Sequence, residues 1–281
     1  MRERSFRYGE NSRGLGMMTL PELTATAPVV VMLNAGLLHR EEPYRLNVLA
    51  SRRLAEIGYI CVRADLSGKG DSPPRPGLIN RESVALDWEY IKKALLQQFG
   101  PRNLIIMGLC SGADNGIKIA AQDTAVRGLV LMDAVSMQDL FFTLRAWRDK
   151  AMNPDNWINL PQKLARRIRR LFPETENPFS NPTVLRDEPT AQDMRLCFSN
   201  LVTHNGRILA FFTSHALERY NQQGQFARAL GMPGLGDICE EHFWPHVQHL
   251  YPVQTHRDQL LETIRAWGSK HLEHFQKQNP S

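Results

Sequence analysis

Apolar and polar positions alternate between two periods along this chain. Residues 28–33, Pro-Val-Val-Val-Met-Leu, form a short β-branched run with no polar face, the pattern of a strand buried on both sides. Residues 59–64, 104–109, 126–132 and 207–212 repeat it. Between these runs the spacing becomes helical: residues 44–57 stop at Gly58, residues 82–99 stop at Gly100-Pro101, and residues 113–122 follow the third run. Strands that alternate with helices in this way predict a parallel sheet covered on both faces. Residues 4–8 and 14–20, separated by a polar turn, read as two edge strands, and a weak strand is expected near residues 242–245. Residues 257–275 carry Leu260, Leu261, Ile264, Trp267 and Leu272 on one side and predict a final helix.

The alternation breaks after Asp133. Up to about Asn200 there is no strand pattern, and tryptophans, prolines and basic residues mark a mostly helical insertion. The expected organisation is a core of residues 1–133 and 201–275, a helical cap of residues 134–200, and a frayed tail of residues 276–281. Residues 161–172 place Leu164, Ile168 and Leu171 on one face and Lys163, Arg166, Arg167 and Arg170 on the other. That face reads first as a solvated cap surface and second as a dock for an acidic partner.

Composition narrows the class. A chain of 281 residues with 42% hydrophobic and 22% charged residues is long enough for a full core and is not of disordered composition. The formal charge of +5 is small, and no nucleic-acid recognition motif accompanies it, so nucleic acid is not an expected partner. No uncharged apolar segment reaches membrane-spanning length. Four cysteines, Cys61, Cys110, Cys197 and Cys239, lie far apart with no C-x-x-C pair, which argues against a zinc site or a disulfide framework and suits a reducing, cytoplasmic compartment. No metal and no cofactor is expected. The glycines of Asp65-Leu66-Ser67-Gly68-Lys69-Gly70-Asp71-Ser72 precede prolines where a phosphate-binding loop needs a helix, so they read as a turn.

The candidate chemistry lies at residues 104–113, where a buried run enters Gly108-Leu109-Cys110-Ser111-Gly112 and leaves as a helix. This is the strand–turn–helix context of a nucleophile elbow, with cysteine in the usual serine position. Taking Ser111 as the attacking residue would put Leu109 where a small residue is needed, so the register favours Cys110. A plain packing cysteine is the competing reading, but packing does not call for the glycine frame.

Taken in order, these pieces resemble the α/β-hydrolase superfamily over nearly the whole chain. Asn34-Ala35-Gly36 after the first central strand looks like the oxyanion loop, residues 65–72 look like the turn after the next strand, and Gly108-x-Cys110-x-Gly112 looks like the elbow. More narrowly, Leu33-Asn34-Ala35-Gly36-Leu37-Leu38-His39-Arg40 together with the elbow is similar to bacterial hydrolases associated with exosortase and other biosynthetic clusters, in the serine-aminopeptidase-like group. Asn34 departs from the histidine common in the superfamily's oxyanion loop. The resemblance implies oxyanion donors at the Ser111 N–H and within Ala35, Gly36 and Leu37. It implies a catalytic histidine before the last helix, with His249 preferred over His246 and His256. It implies a carboxylate after a late strand, with Glu218 preferred, Asp133 second and Asp237 behind them. The expected activity is attack by Cys110 on an acyl ester or thioester, giving an acyl-cysteine that is hydrolysed or passed to an amine, alcohol or thiol. Phe141, Phe142, Trp147 and Trp157 would wall the acyl pocket or form plain cap core, and an acidic acyl-carrier protein would suit the basic cap helix. A catalytically silent scaffold that binds a ligand or partner is the alternative from another class.

Overall fold

The computed structural model describes residues 1–152 and 186–277. Eight strands form one sheet in the order β1-β2-β4-β3-β5-β6-β7-β8. The strands are β1 (Arg2–Tyr8), β2 (Gly14–Leu20), β3 (Val29–Leu33), β4 (Ile60–Asp65), β5 (Leu104–Leu109), β6 (Val126–Met132), β7 (Arg207–Thr213) and β8 (Cys239–Trp244). β1 pairs antiparallel with β2 and β2 with β4, and every other pairing is parallel. An α/β-hydrolase arrangement is therefore observed, and the weak strand expected near residues 242–245 is β8 at the sheet edge.

Alternation along β3 sorts the two faces. Val29, Val31 and Leu33 point to the side covered by α2 (Asn80–Phe99), α3 (Ser111–Gln122) and α5 (Ala191–Thr203), where they join Trp88, Ile91, Ile117, Met194 and Phe198. Val30 and Met32 point to the side covered by α1 (Leu46–Glu56) and α8 (Gln254–Lys277), among Leu54, Leu260, Leu261, Ile264 and Trp267. Strands sandwiched in this way need no polar positions, which is why they read as unbroken apolar runs. α4 (Phe142–Met152), α6 (Gln225–Leu230) and α7 (Leu235–Ile238) complete the described helices.

The expected cap meets the core differently from its reading in the sequence. Its last part is α5, whose Met194, Cys197, Phe198 and Leu201 are buried in the same cluster as α3. An apolar stripe at spacings of three and four residues fixes that face to the sheet layer, so the boundary at Asn200 falls inside a core helix. The basic helix of residues 161–172 and Trp157 lie outside the described residues. Of the cap aromatics that are described, Phe142 is buried, while Phe141 and Trp147 are exposed.

Candidate active site

All five central parallel strands end on the same side, and the chain turns there into the loops that carry the candidate residues. β5 ends at Leu109, and α3 begins at Ser111, so Cys110 occupies the single residue between them with φ 53° and ψ −120°. Such a backbone costs about 1–3 kcal/mol in a non-glycine residue and persists only where the surroundings enforce it. The two glycines explain the enforcement. A Cβ on Gly108 would lie 2.3 Å from the Gly112 carbonyl carbon, and one on Gly112 would lie 2.8 Å from the Leu33 carbonyl oxygen. Strand, turn and helix are pressed together backbone to backbone, and the one side chain left to project is the half-buried Cys110 thiol. It sits at the N-terminus of a helix, where unpaired N–H groups favour a negative charge.

β6 continues into Asp133, a fully buried carboxylate whose backbone lies at φ 49°. Thr213 at the end of β7 donates its N–H to Oδ1 at 2.7 Å and its hydroxyl to Oδ2 at 2.6 Å. His249 Nδ1 lies 2.7 Å from the same Oδ2. With Nδ1 turned to Asp133, the other ring nitrogen faces the sulfur: Cys110 Sγ and ring nitrogens of His249 and His215 all lie within 4.8 Å of one another. Burial pushes the Cys110 thiol up, but hydrogen bonds from His215 and His249 and the charge of Arg186 outweigh it and bring it down to about 6. Burial pulls His249 down, and its bonds to Asp133 and Cys110 override that and lift it to about 9. Between those values sulfur and imidazole carry opposite charges.

Of the two carboxylates expected first, the structure brings Asp133 and not Glu218 against His249. Glu218 lies past β7 and one short 3-10 turn, exposed to solvent, and its backbone carbonyl accepts from Gln138 Nε2 at 3.0 Å. The β6–β7 pairing carries the Asp133 carboxylate under His249. His246 is exposed and lies edge-on to His256 at 5.5 Å, away from this cluster. Asp237 is exposed on α7.

The loop after β3 is tied down by side chains. Asn34 donates to Asp65 Oδ1 at 2.8 Å and to the Leu38 carbonyl at 2.9 Å, and its own Oδ1 accepts the Leu66 N–H at 2.9 Å. The residue that departs from the family's histidine thus joins this loop to the turn after β4. Two of the four expected oxyanion donors are engaged internally: Ala35 N–H donates to Glu42 Oε1 and Gly36 N–H to Ser111 Oγ, each at 2.6 Å. The N–H groups of Leu37 and Ser111 keep no acceptor among the described residues. Glu42 is buried, and burial raises it to about 7 against the Ala35 hydrogen bond.

Three residues near the sulfur had no role in the sequence reading. His215 follows β7 and stacks on His249 with ring centroids 4.1 Å apart. Arg186 bonds Asp114 Oδ2 through Nε at 2.6 Å and the Asp133 carbonyl through Nη2 at 3.1 Å. Glu42 completes the set. No spacing in the chain signals them, because each reaches the site from a different loop.

A nucleophile elbow, a loop rich in backbone donors and an imidazole held by a buried carboxylate, all at one end of a mostly parallel sheet, define a hydrolase-type α/β protein. The chain belongs to the alpha/beta hydrolase fold family, whose model matches residues 28–230. Among solved structures it is similar to an esterase from Pyrococcus furiosus (12% identity, 97% of this chain and 91% of that chain, TM-score 0.56). It is also similar to Est1E from Butyrivibrio proteoclasticus (12% identity, 96% and 99%, TM-score 0.56). A third is the haloalkane dehalogenase DatA from Agrobacterium tumefaciens (15% identity, 95% and 97%, TM-score 0.54). These likenesses are of fold. No curated protein sequence matches the chain. No helix among the described residues is long and apolar enough to cross a membrane.

Proposed function

We propose that this protein acts on acyl esters or thioesters through a covalent acyl-cysteine, with Cys110 as nucleophile, His249 as proton carrier and Asp133 as the group that orients it. One observation carries the reading: the sulfur at the elbow lies against the His249 ring, whose Nδ1 is held by the buried Asp133 carboxylate. The thiolate attacks the acyl carbon, a C–S bond forms, and the carbonyl electrons move to oxygen. Ser111 N–H and Leu37 N–H are the donors free to hold that oxyanion. When it collapses, the bond to the leaving oxygen or sulfur breaks and His249 supplies the leaving group's proton.

An acylated Cys110 is a thioester, so its exchange with another thiol is nearly balanced in energy and its transfer to an amine or alcohol is downhill. That chemistry supports acyl transfer beside hydrolysis. An esterase among the similar structures suits either outcome.

Intact-mass measurement after mixing with 4-nitrophenyl butyrate tests the reading. We expect one butyryl adduct in the wild type, none in Cys110→Ala, a rate of adduct formation down about 100-fold in Asp133→Asn, and a change within about two-fold in Glu218→Gln. An unchanged adduct in Cys110→Ala would sink the assignment.

A further inference from the structure

Two imidazoles meet Cys110, yet the mechanism above uses one. His249 is bound to Asp133, whose two oxygens also accept the Thr213 N–H and hydroxyl. His215 has no carboxylate against it among the described residues. Its place is nonetheless fixed. Its N–H donates to Thr213 Oγ1 at 3.4 Å, the neighbouring Ser214 N–H donates to the Val247 carbonyl at 3.0 Å, and its ring lies 25° from the plane of His249. His215 is exposed, and it lines a cavity of about 290 Å³ together with Ser136, Arg186, Glu188, Glu218 and Arg219. His215 thus belongs both to the cluster around the sulfur and to the wall of a cavity that can seat a second reactant.

We infer that His215 is a second catalytic base, reserved for the acceptor: it takes the proton of the water, alcohol or amine that removes the acyl group from Cys110. The inference rests on the covalent reading above. In acylation, His249 gives its proton to the leaving group and is left neutral. The acceptor, seated in the cavity, then attacks the thioester carbon. Its new bond to carbon forms, the C–S bond breaks with its electron pair left on sulfur, and the acceptor's proton passes to a His215 ring nitrogen. That proton returns to His249 by way of the sulfur both rings contact, which restores the starting charges. With one imidazole the acceptor must wait until the leaving group vacates the nitrogen. With two on the same sulfur the acceptor can be seated first.

Separate timing of the two half-reactions tests this. With 4-nitrophenyl butyrate as donor, the nitrophenolate burst reads acylation, and decay of the butyryl adduct in water, n-butanol or n-butylamine reads deacylation. His215→Gln, which also removes a hydrogen bond from the sulfur, is expected to slow adduct decay by about 10- to 100-fold and to slow the burst clearly less. In His215→Ala, added imidazole is expected to restore decay, a rescue that a purely packing side chain would not show. Equal loss in both steps, an unchanged decay rate, or a loss that imidazole leaves unrepaired overturns the inference while leaving the covalent reading intact. A wild type with neither burst nor adduct overturns both.

Discussion

Residues 108–112 and residues 34–42 meet at Cys110, and they are held by different means. The elbow is fixed by backbone: Gly108 packs on Gly112, and Gly112 packs on the carbonyls of Leu33 and Asn34. The loop is fixed by polar side chains: Asn34 on Asp65 and Leu66, Glu42 on Ala35, and Ser111 on Gly36. Backbone contacts have no charge to lose, so the position of Cys110 is insensitive to pH. The donor loop depends on a buried carboxyl that titrates, so its geometry is open to adjustment.

The largest break in this contrast is expected from Gly108→Ala. Its Cβ would meet backbone, which cannot rotate away, so the cost is about 3 kcal/mol or more. Calorimetry should show a melting temperature lower by about 6–12 °C, equally at pH 5 and pH 8; a change under about 2 °C would mean the elbow yields.

Glu42→Gln comes next and should depend on pH. The folded protein raises Glu42 from 4.5 to about 7 because burial disfavours its charge. The stability this provides is full below pH 4.5 and is lost as pH rises through about 7. The wild type should therefore weaken relative to the glutamine variant by up to about 3 kcal/mol between pH 4.5 and pH 8. Parallel melting curves across that range would contradict the assignment.

Asn34→Ala is expected to have the smallest effect, about 1–2 kcal/mol from leaving the Leu66 N–H without its partner. Urea unfolding would measure it, and a midpoint unchanged from wild type would show that water replaces the side chain.

The contrast also separates what the sequence discloses from what it hides. Gly108-x-Cys110-x-Gly112 is legible because backbone sterics act over five consecutive residues, and the strand runs are legible because a strand covered on both faces admits few polar residues. Asp133 is legible as the residue after a strand run, but nothing local ranks it against Glu218, since that depends on which loop end the β6–β7 pairing brings under His249. Glu42, Arg186 and His215 carry no local pattern at all. α5 did carry one, since Met194, Cys197, Phe198 and Leu201 trace a helical stripe, but a stripe does not say whether it faces a cap or the sheet.

The two outermost strands have a consequence for how the molecule meets copies of itself. β1 presents Arg2, Glu3, Arg4 and Ser5 at the free edge, and β8 at the opposite edge carries Glu240, beside Lys270, and His242. An open row of backbone N–H and carbonyl groups invites another sheet to add on, and crowding it with charged side chains makes that addition expensive. The parallel strands inside those borders, rich in valine, isoleucine and leucine, would otherwise offer a template for continued growth. The charged borders close the sheet at eight strands and keep its most cohesive surface inside one molecule.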